Sequence, residues 1–416
     1  MKHGKIRIAV LLLALLPATV FARELPEVKP ADAGMSAEKL ADVDSAVNAL
    51  VTRKRLAGAI VMVARHGKVV LHKSYGQMDI EAGKPMRDDT IVRIYSMTKA
   101  ITSVAALILH DEGKLDLDAP VSKYIGEFKG LEVYGKDGNA KPRREMIVKD
   151  LMRHTSGLTY GFFGNTPVDR MYRKAKVMDR ASSLKVMCEK LGKIPLAYQP
   201  GKDWRYSLSV DVLGRVVEVV SGKTLDKFFA ERIFRPLDMK DTGFFVPDSN
   251  IDRFAANYNS DRKGKLTIKD APKTSRYRKS PAHLSGGGGM VSTARDYMRF
   301  LVMIVNGGEF HGTRLLKTDT VKLMTTNQLP KGIGWIRLGY HRVGVGFGLG
   351  LSVRVKSSHL EKASKVGECG WGGAASTHFW ISPADGLAVV TLEQTMPYSP
   401  LVERTIKGII YNAIEK

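Results

Sequence analysis

The chain places strand-forming hairpins at its two ends and a long helical pattern between them. Near the start, Ala59 to Ala64 and Lys68 to His72 flank His66-Gly67. Near the end, Thr377 to Ile381 and Leu387 to Leu392 flank Pro383-Ala384-Asp385-Gly386. Both read as apolar, β-branched segments joined by turn residues. From about Arg87 to about Phe300 the pattern is mostly helical, broken by loops, with helices predicted over Val210 to Val220 and Thr224 to Ile233. A closing helix, Pro400 to about Ile414, carries Val402, Ile406, Ile409, Ile410 and Ala413 on one stripe. The simplest architecture is α/β of the α+β kind: an antiparallel sheet built from both ends, covered by the first and last helices, with a helical lobe inserted. Residues 23–86 and 300–416 would form the sheet lobe and residues 87–299 the helical lobe of one domain. A cleft between the lobes follows, and such clefts are preferred ligand sites.

The N-terminus constrains location. Lys2, Lys5 and Arg7 precede the apolar run Ile8 to Leu16 and then Val20-Phe21-Ala22, the pattern of a signal peptide over residues 1–22 with cleavage near Ala22. The run is short for a membrane span and no cysteine follows as a lipid attachment point, so a periplasmic or secreted protein is expected. Without that segment 62 basic residues face 42 acidic ones, a net of +20. Weak contact with anionic envelope surfaces is one reading of this surplus, and a solvated basic face without a partner is the other. Nothing interleaves aromatics with the charge as a nucleic-acid groove would. Cys188 and Cys369 are the two cysteines, so disulfides do not build the fold, and two buried thiols are preferred over a single bridge.

Three segments carry chemistry. Ser96-Met97-Thr98-Lys99 opens a small, apolar helix, Ala100 to Leu109, that stops at Gly113. Three residues on a helix advance about 4.5 Å and turn most of a revolution, so the Lys99 amine can reach the Ser96 hydroxyl. The helix N-terminus favours negative charge developing there. The same spacing recurs at Ser36/Lys39, Ser182/Lys185 and Ser260/Lys263, where helix caps with solvated lysines or a basic loop are expected. The second segment holds Tyr206 in Pro200 to Leu208, and a phenol beside an ammonium can act as a base. The third is Gly370-Trp371-Gly372-Gly373-Ala374-Ala375, whose glycines allow close approach and whose Ala374 amide can face an oxyanion. Singly, each has a structural reading of comparable weight: a cap serine, a core tyrosine, a bulge.

In order and context the three resemble the motifs of the serine β-lactamase and penicillin-binding protein superfamily, and most closely its family VIII carboxylesterases. The resemblance runs from about Ile60 to about Glu393. It includes Ser96-Met97-Thr98-Lys99, Tyr206-Ser207-Leu208 and Trp371-Gly372-Gly373, with supporting stretches at His154 to Leu158, Pro200-Gly201 and Ser285 to Ala294. It implies a β-lactamase/transpeptidase-like fold, Ser96 as acylated nucleophile, Lys99 and Tyr206 as proton relay, and the amides of Ser96 and Ala374 as oxyanion hole. Trp371, Gly372, Gly373 and Leu208 would bind substrate. Where β-lactamases and D,D-peptidases usually carry Lys and many carry Asn, this chain has the apolar Trp371 and Leu208, which favours a neutral ester.

The leading expectation is an exported serine carboxylesterase acting on small to medium acyl esters. Its alternatives are a β-lactamase or D,D-peptidase acting on cell-wall-like substrates, an acyltransferase using another acceptor than water, and a noncatalytic wall-binding relative. No G-x-S-x-G occurs, which argues against an α/β-hydrolase elbow. With no H-E-x-x-H and scattered histidines, neither a metal nor a cofactor is expected, and His154 and His378 read as structural.

Overall fold

The computed structural model describes residues 24–415; the predicted signal peptide lies outside them. Eight strands form one antiparallel sheet. They are β1 (Gly58–Arg65), β2 (Lys68–Asp79), β3 (Lys84–Pro85), β4 (Val345–Phe347), β5 (Ser352–Arg354), β6 (Cys369–Gly372), β7 (His378–Ser382) and β8 (Leu387–Glu393), in the order β4-β5-β6-β7-β8-β1-β2-β3. The N-terminal hairpin joins the C-terminal one through β1 and β8, with Ala59 opposite Glu393 and Val63 opposite Val389. His66 and Gly67 both have positive φ, the backbone that a two-residue hairpin turn requires.

Alternation along the strands sorts side chains between two cores. Ala59, Val61, Val63, Trp380 and Val389 face α1 (Ala37–Thr52) and the last helix, through Val43, Val47, Val402, Ile406 and Ile410. Ile60, Met62, Phe379, Ile381 and Val390 face the other way, into the larger core. That core holds α2 (Thr98–Asp111), buried from Thr98 through Leu109, and α5 (Ala294–Val305), which packs on β1 and β8. Further helices are α3 (Pro167–Lys174), α4 (Ser209–Ser221), packed on α2, and α6 (Leu401–Asn412). Among the described residues no helix is long and apolar enough to cross a membrane.

Local readings were met unevenly. Ser36 caps α1 with its hydroxyl accepting from the Lys39 amide, while the Lys39 side chain is exposed. The cap of the helix Leu184–Leu191 is Ser183, one residue beyond the predicted Ser182. Ser260 ends a strand, Asn257–Ser260, and the basic stretch read as a loop contains its partner, Leu266–Asp270. The helix predicted over Thr224 to Ile233 is regular only over Leu225–Phe229, then widens into a π-turn at Ala230–Phe234. Cys188 and Cys369 are separate buried thiols, and burial pushes the Cys369 thiol up to about 12.

Candidate active site

A 3₁₀ turn, Tyr95–Met97, leads into α2. It is entered through Tyr95 at φ +42°, a left-handed backbone that costs energy in a non-glycine residue and so needs surrounding structure to hold it. This turn holds Ser96 half-buried at the helix N-terminus, while Lys99, one turn on, is fully buried.

A buried ammonium needs partners. Lys99 Nζ donates to Ser96 Oγ at 3.2 Å, to the Tyr160 hydroxyl at 3.0 Å and to the Gly287 carbonyl. It also sits 4.6 Å above the Tyr206 ring, within cation–π range. The Tyr160 and Tyr206 rings lie 5.3 Å apart, and the Trp371 indole N–H donates to the Tyr206 hydroxyl at 3.4 Å. Hydrogen bonds and ring contacts therefore join Ser96, Lys99, Tyr160, Tyr206 and Trp371 in one cluster. Burial, reinforced by Tyr206 and Asp211, holds the Tyr160 phenol well above its ordinary value, so Tyr160 serves as a neutral hydrogen-bonding link.

The rings around this chain form a wall. Trp204 stacks on Tyr206 at 6.3 Å, and Trp371 meets Tyr206 at 5.4 Å and Phe347 at 5.2 Å. His154 packs 4.9 Å from Tyr206 with Nδ1 3.2 Å from Ser207 Oγ. Burial, and then the Lys99 charge, keep His154 neutral, a structural histidine. His378, on β7, bonds Tyr398 at 2.9 Å and lies 3.6 Å from Glu403, away from the Ser96 to Trp371 chain of contacts.

β6, which carries Trp371, packs against the Ser96 turn. A Cβ on Gly373 would lie 2.4 Å from the Ile94 carbonyl oxygen, so glycine there lets the chain approach the segment that carries Ser96. Ala374, half-buried, follows directly. Leu208 departs from expectation. It is fully buried at the N-cap of α4, its amide donating to the Thr159 carbonyl, and it presents no surface to a substrate.

Tyr160 was missed in the sequence. The motif His154 to Leu158 ends two residues before it, and nothing in the spacing marks one of fourteen tyrosines as a lysine partner. Asp211 was missed as well. It is buried on α4, accepts from Ser285 Oγ and from the Gly287 amide at 3.0 Å, and leaves Oδ2 without a partner. Asp211 thus fixes the glycine whose carbonyl holds Lys99. Asp211→Ala should strand two buried donors, at about 1–3 kcal/mol each. We expect a clear fall in Tm and in kcat with KM little changed, and a milder effect for Asp211→Asn, which keeps an acceptor; thermal melts and steady-state kinetics check both.

The site is built on a helix that opens with Ser-x-x-Lys and places Lys99 Nζ 3.2 Å from Ser96 Oγ. The chain belongs to the beta-lactamase family, whose pattern it matches over residues 43–409. It is 35% identical to Protein Rv1367c of Mycobacterium tuberculosis, over 82% of this chain and 86% of that one. It is 30% identical to Esterase EstB of Burkholderia gladioli, over 86% and 91%. Among solved structures it is similar to EstCE1, described as a hydrolase with promiscuous acyltransferase activity, with TM-score 0.77 and 26% identity over 90% of this chain and 99% of that one. The esterase and acyltransferase relatives support an enzyme of the serine hydrolase type with esterase-like acyl transfer.

Proposed function

We propose that the chain is an exported carboxylesterase that cleaves small to medium acyl esters through an acyl-enzyme at Ser96. The observation carrying this reading is the buried chain from Ser96 Oγ through Lys99 Nζ, at 3.2 Å, to Tyr160 and Tyr206. Ser96 Oγ attacks the ester carbonyl as its proton passes into the relay of Lys99 and Tyr206. The amides of Ser96 and Ala374 receive the oxyanion. The relay returns the proton to the leaving alkoxide, which departs as the alcohol and leaves the acyl group on Ser96. Water, or an acceptor alcohol, attacks the acyl-enzyme; its proton returns through the same relay to Ser96 and the acid, or a new ester, is released. Tyr206 and Tyr160 share that relay with Lys99. Export rests on residues 2–22, read from the sequence.

Family membership also favours a second reading, β-lactamase or D,D-peptidase activity. Trp371 opposes it, since an indole sealed against Tyr206 and Phe347 offers no cation to a substrate carboxylate. Steady-state kinetics decide: we expect kcat/KM for p-nitrophenyl butyrate to exceed that for a cephalosporin and for a D-Ala-D-Ala peptide, and the reverse order would replace the ester reading. Offering alcohols alongside water measures hydrolysis against acyl transfer.

Trp371→Lys should lower turnover of neutral esters and raise, relative to them, that of substrates bearing a carboxylate near the scissile bond. The indole is buried, so the exchange can cost several kcal/mol, and melts must accompany the kinetics. A folded variant with an unchanged substrate ratio would remove Trp371 from the substrate site.

A further inference from the structure

Two aromatic side chains stand out of the surface at the site's edge. Phe162 and Phe163 are 60% and 67% exposed, their rings tilted against each other with centroids 4.5 Å apart. They continue the aromatic wall outward: Phe162 lies 4.9 Å from Tyr160, and Phe163 lies 5.4 Å from Tyr160 and 6.0 Å from Tyr206. Their loop is built to stay in place. Thr166 caps α3 in a reciprocal bond with Asp169, and Arg173 holds the carbonyls of Gly161 and Gly164 and the Asn165 side chain. Arg170 holds the Asn165 carbonyl.

The surroundings of this aromatic tip are cationic. Arg170 and Arg173 bond the loop that carries it, and they, Met171, Lys174 and Lys176, on or just after α3, are exposed; among the described residues none of the four cations lies within ion-pair distance of an acid. Asp169, the acid in α3, is buried, is bonded by Thr159 and Thr166, and feels the charge of Arg173. Exposed rings beside a run of exposed cations match a bilayer interface, where rings enter the boundary and cations meet phosphates. An acidic protein would satisfy the cations but gives no reason for two bare phenylalanines.

We propose that Phe162 and Phe163, with Arg170, Arg173, Lys174 and Lys176, form a docking surface for bilayers containing anionic phospholipid. Docking sets the edge of the Ser96 site against the lipid, where apolar esters concentrate. Binding does not require catalysis, so the proposal stands or falls apart from the ester reading.

The test is co-sedimentation of the full chain, carrying Ser96→Ala so that no lipid is consumed, with phosphatidylcholine vesicles with and without 30% phosphatidylglycerol, where the 30% is roughly the charge density of an anionic leaflet. The apolar N-terminal segment is common to every variant, so the readout is the loss on substitution. One basic residue near such a surface is worth roughly fivefold in partitioning, so Lys174→Glu with Lys176→Glu should weaken binding to anionic vesicles at least ~25-fold. Phe162→Ser with Phe163→Ser should weaken it by a similar factor at high salt, where the rings carry most of the attraction. On the background with Ser96 intact, the lysine pair should leave hydrolysis of dissolved p-nitrophenyl acetate unchanged. Equal binding to neutral and anionic vesicles by all variants would overturn the proposal. So would capture of soluble polyanions, lost in the lysine variant, without vesicle binding, or an effect of the phenylalanine pair on ester kinetics alone.

Discussion

Lys99→Ala should cut kcat for p-nitrophenyl butyrate on the order of 10³-fold, within the range for loss of positioned proton transfer. The argument is spatial. Lys99 Nζ is the one group that touches both Ser96 Oγ and the Tyr160 hydroxyl, so its removal breaks the chain at the nucleophile. Tyr160→Phe and Tyr206→Phe should each cost at least ~100-fold, and the three losses should be far from multiplicative because the groups act as one unit. If Lys99→Ala with Tyr206→Phe lost the product of the two single losses, the groups would act independently and a shared relay would be wrong. Circular dichroism and melts guard against misfolding, since removing a fully buried ammonium also strands the Gly287 carbonyl.

Gly373→Ala should be the most damaging one-methyl change in the site, with a loss of ~10²–10³-fold in kcat, the scale on which losing an oxyanion donor acts. The added Cβ would lie 2.4 Å from the Ile94 carbonyl oxygen and 2.3 Å from Thr377 Oγ1. One of these is backbone, two residues before Ser96, and cannot rotate away. The strand must retreat from the nucleophile, carrying the Ala374 amide with it. Gly372→Ala is the control. Its Cβ would meet the rings of His378 and Tyr398 at 2.9 and 3.0 Å and the Thr377 carbonyl oxygen at 3.1 Å, so its two tightest contacts are side chains, which can yield, and its backbone contact is looser than that of Gly373. Kinetics on both variants separate an oxyanion defect from general disturbance of β6; equal losses would remove the special role of the Gly373 approach.

These two predictions draw differently on the sequence. Four of the eight strands were legible because β-branched runs and two turn signals bracket both hairpins; β2 runs seven residues beyond the run read for it, and β3 to β6 were not read as strands. Ser96 and Lys99 were legible because local helical geometry alone brings them together, and the structure gives 3.2 Å. Trp371 beside Tyr206 spans 165 residues and came from the family resemblance, since no local rule joins them. Tyr160 and Asp211 were not legible at all. Their roles arise where α2, α4 and the glycines 286–289 converge, and nothing in composition or period records that convergence. Leu208 illustrates the opposite failure. Motif position suggested a cleft wall, while the cap geometry of α4 turns that residue into the core.

The central claim is that Ser96 carries the acyl group, and a fluorophosphonate probe followed by peptide mass mapping tests it most directly. The expected result is one phosphonylated peptide, modified at Ser96, with labelling abolished in Ser96→Ala and slowed in Lys99→Ala. An unlabelled native protein, or equal labelling of Ser96→Ala, would contradict it.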